Sequence, residues 1–380
     1  TSGAYIPGHG TPTVILIGKN RDRNRLSTVR VVLGIRGEPS QPDDPRSGLV
    51  WRSIIDHIDQ PGAETEYISV TDVYRDRLAA HPWLLSGGGA EELFAVVESA
   101  SQRLKQYLGM PIGFASFAGQ DDAFFVGTPW LKRRRVEGPF RRPLVTGDTV
   151  RDWSTRPDTD VLVPFDEDQR PVDYDSDSSW GRHLWTLRSA LKSTKGFDGK
   201  TRDEIGADWW LWYRWVPERY RTSLLIAFAF VATHNHFVLD RGGKVFNRSA
   251  PVIKLRERAT EDDHLRLIGI LNSSTACFWL KHVSQKKGGA SNSGGGRSDQ
   301  PWSWSYEFTG TTLQDFPLPE GAPLERARRL DALAQELAAV TPQAVCAKGV
   351  PTREALAEAR RRYHEIRAEM IAVQEELDWE

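Results

Sequence analysis

A chain of 380 residues can bury a sizeable core and has room for two or three domains. Its 39% hydrophobic and 27% charged residues exclude a disordered chain, and no apolar run approaches the roughly 20 residues of a membrane span. Two cysteines, Cys277 and Cys346, exclude a disulfide framework or a cysteine zinc site and fit a reducing cytoplasm, while a net charge of −1 excludes a polycation.

The first residue is not Met, and residues 1–5 lead directly into a strand, so the chain is expected to start inside a domain. Residues 13–18 (TVILIG) and 29–35 (VRVVLGI) are β-branched runs around a basic connection and predict a hairpin. Residues 37–48, rich in Pro, Asp and Gly, predict a loop. Apolar spacing of three and four over residues 90–108 predicts a helix. Phe124-Phe125-Val126 opens a strand-and-turn region running to about Phe165; an exposed acidic loop (166–179) and a helix (180–191) follow. Residues 208–215 form an aromatic cluster of no clear type. Residues 224–233, 237–239 and 252–255 predict strands, the last two joined by a turn at Gly242-Gly243.

Residues 264–282 predict one helix, with Leu265, Ile268, Leu271, Thr275, Phe278 and His282 on a stripe. A flexible basic loop (286–297) follows. Trp302, Trp304, Tyr306 and Phe308 then alternate with polar residues and share one face of a strand, and residues 313–319 are extended. Leu330, Leu333, Leu337 and Val340 mark a helix stopped by Thr341-Pro342. After a start at Pro351-Thr352, residues Leu356, Ala359, Tyr363, Ile366, Met370, Val373 and Leu377 hold a heptad pattern. An antiparallel pair is expected, made by these helices with each other or with a part of the protein outside this chain.

Self-sufficient chemistry is not expected: no catalytic residue and no metal ligand is assigned. His234-Asn235-His236 sets two imidazoles on one side of a strand without a carboxylate cluster. Gly87-Gly88-Gly89 precedes a helix but follows no strand. P-loop, nucleophile-elbow and zinc-finger spacings are absent from the sequence.

Several segments together resemble one family. Ser2-Gly3-Ala4-Tyr5-Ile6-Pro7-Gly8-His9 followed by the strand 13–18 looks like the last motif of an adenine-specific methyltransferase domain. Leu271-Asn272-Ser273-Ser274, with the Gly/Ser loop, the Trp-rich strand and Leu313-Gln314-Asp315-Phe316-Pro317-Leu318-Pro319 behind it, is similar to a target-recognition domain. With residues 143–148, 225–255 and 375–380, the chain resembles, over nearly its whole length, the adenine-specific DNA methyltransferases of phage growth limitation (type 2 BREX) defence systems.

The expected architecture is α+β: the end of a Rossmann-like methyltransferase sheet (1–60), a mixed α/β target-recognition domain (61–320) and a C-terminal helical pair (321–380). The resemblance implies S-adenosylmethionine as methyl donor of the parent protein and double-stranded DNA as partner. Other defence-system proteins are a further candidate partner, and no membrane is implied. It also implies a flipped base, stacked on Tyr5 first and His9 second. The cofactor-binding Gly loop and the Asn/Asp-Pro-Pro-Tyr/Phe motif do not occur in this sequence. By the family's motif order both are expected N-terminal to Thr1, so this chain is expected to read DNA, bind no cofactor and be inactive alone.

Candidate phosphate contacts are Lys19, Arg21, Lys132, Arg133, Arg134, Arg135, Arg141, Arg142, Lys286, Lys287 and Arg297. Trp302, Trp304 and Tyr306 could stack on DNA, although one-sided burial against the preceding helix weighs more. Two other readings stay open: a non-enzymatic interaction module of a defence complex, and the specificity part of a combined restriction–modification enzyme.

Overall fold

In the computed structural model the described residues are 27–36, 42–78, 89–136, 138–196, 199–289 and 304–380. They fall into two compact units, Thr1–Ala100 with Gln285–Ser305, and Ser101–Ser284 with Tyr306–Glu380. The architecture is a mixture of helices and small two- and three-stranded sheets, as the α+β composition of the sequence implied.

In the smaller unit, β1 (Thr28–Gly34) runs antiparallel to β2 (Ile68–Tyr74), from Thr28 opposite Tyr74 to Gly34 opposite Ile68. Ile68 and Val70 are buried on one face of β2, and Val73, out of that alternation, is buried as well. The described partner of β1 is thus a strand beyond α1 (Leu49–His57), and the expected hairpin partner, residues 13–18, lies outside the described residues. α2 (Ala90–Glu98) stops ten residues short of the expected end at residue 108. Ser99 folds its hydroxyl back onto the Val96 carbonyl (2.6 Å), which ends the turn.

The larger unit opens with β3 (Gln102–Arg103) and β4 (Ser116–Phe117), then the short helices α3 (Asp121–Phe124) and α4 (Thr128–Arg133). Phe124, expected to begin a strand, closes α3 instead: the side chain is fully buried and meets Trp212 edge-on. β5 (Arg141–Val145) is flanked by β8 (Asp160–Leu162), antiparallel, and β13 (Val245–Phe246), parallel. Between β5 and β8 lies the hairpin of β6 (Val150–Arg151) and β7 (Ser154–Thr155). α5 (Ser179–Thr186), α6 (Arg188–Lys192) and β9 (Arg214–Trp215) complete an aromatic core in which Phe124, Leu131, Leu162, Trp180, Leu184 and Trp212 are buried.

β10 (Leu225–Phe228) is the centre of a second sheet, with β12 (Phe237–Asp240) on one side and β14 (Val252–Ile253) on the other, both antiparallel. The Gly242-Gly243 turn therefore leads from β12 into β13 and does not join β12 to β14. Both glycines have positive φ, 100° and 82°, a turn open to few other residues. β11 (Val231–Ala232) leaves this sheet to pair with β16 (Trp304–Glu307).

The expected single helix 264–282 is two: α7 (Glu261–Leu271) and α8 (Ser274–Val283). The break is chemical. Asn272 turns its amide onto the Phe237 backbone, accepting from the N–H and donating to the C=O at 2.9 Å each. Ser273 then caps α8 by accepting from the Ala276 N–H. β15 (Gln285–Gly289) replaces the start of the expected loop, and α9 (Gly310–Gln314) precedes β17 (Pro317–Leu318) where an extended segment was expected.

The tail packs on itself and on the larger unit's core. α10 (Leu324–Ala339), α11 (Pro342–Ala347) and α12 (Arg353–Trp379) close it. Leu333 and Leu337 of α10 meet Ile366 of α12, with Tyr363, Met370 and Val373 alongside, so the heptad face finds its partner within the chain. α10 also lies close to α7, where a Cβ at Gly269 would come within 3.1 Å of Ala327. Arg328 joins Asp262 at 2.6 Å, and Arg241 holds Glu261 and Asp331 at 2.6 Å each.

Candidate nucleic-acid interface

The basic segment 132–135 is built by α4. Gly127, at φ 78°, and Pro129 in the first turn start the helix, and Leu131 (0% exposed) within it and Val136 (3%) just beyond it anchor the segment in the aromatic core. Lys132, Arg133, Arg134 and Arg135 are consequently left in solvent at the helix C-terminus. Among the described residues none of the four forms an ion pair; Arg134 lies 5.7 Å from the Trp130 ring centroid.

Arg141 and Arg142 belong to the neighbouring strand but do not join this ridge. Arg141 is paired with Asp160 at 2.7 Å, with a side chain 27% exposed. Arg142 points inward. Its guanidinium donates to the Pro139, Phe165 and Asp166 carbonyls and to Gln169 Oε1, at 2.8–3.3 Å, and lies 5.9 Å from the Trp215 ring. Burial lowers its proton affinity, opposed by Tyr220, Asp166 and Glu167. The outward charge is therefore concentrated in residues 132–135.

In the smaller unit, Lys286 and Lys287 are exposed on β15, and the Lys286 ammonium sits 4.1 Å from the Trp304 ring centroid. In the larger unit Tyr306 stacks beside the buried Phe308 (6.3 Å, 13°) and takes the Lys281 ammonium at 5.6 Å. Trp304 and Tyr306 are thus half-buried, each with a lysine against its ring. Tyr5, His9, Lys19, Arg21, Arg297 and Trp302 lie outside the described residues.

Leu271-Asn272-Ser273-Ser274 is a junction. Beyond the Asn272 clasp on Phe237, the Asn235 amide donates to Leu271 O at 2.5 Å. Ser274 donates its N–H and hydroxyl to Asp378 of α12 at 2.8 and 2.5 Å. Gln374 bridges Asn272 O (3.2 Å) and the Trp153 indole (3.0 Å). The junction in turn positions two groups that sequence reading separated. His236 Nδ1 lies 2.7 Å from Asp152 Oδ1, supplying a carboxylate that was not expected beside the His-Asn-His segment. His-x-His was visible in sequence; a carboxylate more than eighty residues away was not.

No protein-family model matches this chain. It is 46% identical over 384 aligned residues to the adenine-specific methyltransferase PglX of Streptomyces coelicolor; the alignment covers 100% of this chain and 32% of that protein. The resemblance to adenine-specific methyltransferases extends over the whole chain, which spans about a third of that relative's length. Among solved structures, the type IIL restriction–modification enzyme MmeI in complex with DNA is similar at a TM-score of 0.38 and 12% identity, over 72% of this chain and 34% of that one. The type IIG restriction endonuclease BpuSI is similar at 0.39 and 10%, over 93% and 40%. TM-scores this low do not establish a shared fold.

Proposed function

We propose, from the likeness to PglX, that this chain is the DNA-reading part of an adenine-specific DNA methyltransferase that acts with S-adenosylmethionine in defence against phage. The observation that carries the reading is 46% identity along the entire chain. In this reading β1 and β2 close the catalytic sheet of the parent protein, the larger unit reads DNA, and the tail helices brace it. The ridge 132–135 neutralises backbone phosphates and fixes register, while polar groups elsewhere read base edges.

β5 and β13 pair in parallel, and among the described residues no strand leads through closely spaced glycines into a helix, the arrangement that would receive S-adenosylmethionine. In this reading cofactor binding and methyl transfer belong to other parts of the parent protein. The chain's own contribution is to hold duplex DNA in register while the target base leaves the stack.

The test is a fluorescence-anisotropy salt series on duplex DNA, comparing the chain with an R133Q/R134Q/R135Q variant. The wild type should lose affinity steeply with salt, and each lost phosphate contact should flatten the log–log slope by about 0.9. Preference among sites should persist, because phosphate contacts position without specifying. Absence of salt-dependent binding by the wild type would overturn the function. An unchanged slope in the variant would remove the ridge from the interface.

A further inference from the structure

We propose that Asp152, His234 and His236 form a binding site for a divalent first-row transition metal, with Zn2+ the fitting member.

The three side chains come from two separate loops. Asp152 occupies the turn of the β6–β7 hairpin, and the histidines lie between β11 and β12. One donor atom from each lies within 4.8 Å of the other two. Donors around a tetrahedral zinc at about 2.0–2.1 Å stand roughly 3.3 Å apart, so modest side-chain rotations close the site. His236 Nδ1 and Asp152 Oδ1 are already at 2.7 Å, and the two imidazole rings are 4.3 Å apart, tilted by 58°. Two imidazoles and a carboxylate suit zinc, cobalt or nickel; magnesium and calcium prefer all-oxygen shells.

Both loops are braced from behind, which a surface ion pair does not need. Asn235, between the histidines, is 5% exposed and bonded to the α7–α8 junction. Trp153, next to Asp152, has φ 64°, a strained conformation for so large a residue. It is held there by burial, by its N–H on Phe237 O (3.1 Å) and by its indole on Gln374. Such support pre-forms a ligand set.

The nearby charges of Lys281 and Arg151 oppose a cation, so micromolar affinity is expected. Asp152 and His234 are exposed, so water or an anion can complete the shell.

The experiment uses the whole chain, untagged, treated with chelator and carrying Cys346→Ser to remove an exposed thiol. Zn2+ is titrated by calorimetry and Co2+ by its visible absorption. One equivalent should bind with micromolar Kd, and H234A and D152N should each weaken binding at least tenfold. Zn2+ should raise the Tm of the parent chain and leave that of H234A unchanged. Because His234 is exposed, H234A tests the ligand without opening the core. No binding, or equal affinity in both variants, would overturn the site.

Discussion

Arg142, Arg202 and Arg219 on one side and residues 132–135 on the other carry the same charge in opposite surroundings. Arg202 (3% exposed) donates to the Asp208 and Leu211 carbonyls at 2.9 and 2.7 Å. Arg219 (7%) donates to Pro111 and Val252 at 2.7 and 3.2 Å. Like Arg142, both supply donors to main-chain oxygens of irregular segments. Burial pushes Arg202 down to about 10, yet its five donors make it the side chain best able to knit such loops. Ridge residues meet none of this, because only Leu131 and Val136 of that segment are buried. Basic character in a sequence therefore marks two unrelated tasks, bracing and binding.

Truncating an inward arginine should have the largest effect. Arg202→Ala strips the Asp208 and Leu211 carbonyls of a guanidinium donor and opens a cavity, and should cost about 2–4 kcal/mol in urea unfolding. A loss below about 1 kcal/mol would mean that water replaces the guanidinium, erasing the distinction drawn above.

A smaller effect tests the buried lysine of the same class. Lys254 (5% exposed) donates to the Thr222 and Leu224 carbonyls at 3.0 and 2.6 Å, and burial pushes it down to about 8. An unfolded lysine keeps its proton to about 10.4. Between roughly pH 8 and 10.4 the unfolded state thus binds more protons, and stability should rise with pH by at most about 1.4 kcal/mol per unit. Lys254→Met should lose that rise, measured from urea midpoints across the range; an identical slope in the variant would show that Lys254 stays charged in the fold.

The smallest effect belongs to the ridge. R133Q/R134Q/R135Q should change unfolding free energy by no more than about 0.5 kcal/mol, while DNA affinity falls as described above. A larger loss of stability would place these arginines with the inward group.

Much of the helical tail was legible, since the apolar stripes of α10 and α12 carry their own period and bury Leu333, Leu337 and Ile366 together. The strands β10 and β12 were legible for the same reason, as short β-branched and aromatic runs. Their pairing was not, because β10 takes β12 on one side and β14 on the other, while β11 and β13, which lie between them in sequence, pair elsewhere. The break at Asn272 was hidden, since residues 261–283 keep a helical stripe across it and only the Phe237 backbone reveals why Asn272 leaves the helix.

By itself, the sequence determined the kinds of element, the charge clusters and the motifs that align with PglX, because periodicity, composition and local motifs are properties of neighbouring residues. Tertiary structure alone decided which cations face solvent, since Arg141 and Arg142 differ only by the side of β5 on which they fall. It also decided that Asp152 stands beside His236, a contact made when a strained hairpin turn and a braced loop fold against each other. Burial and proximity between distant segments are set by packing, and no local pattern encodes them.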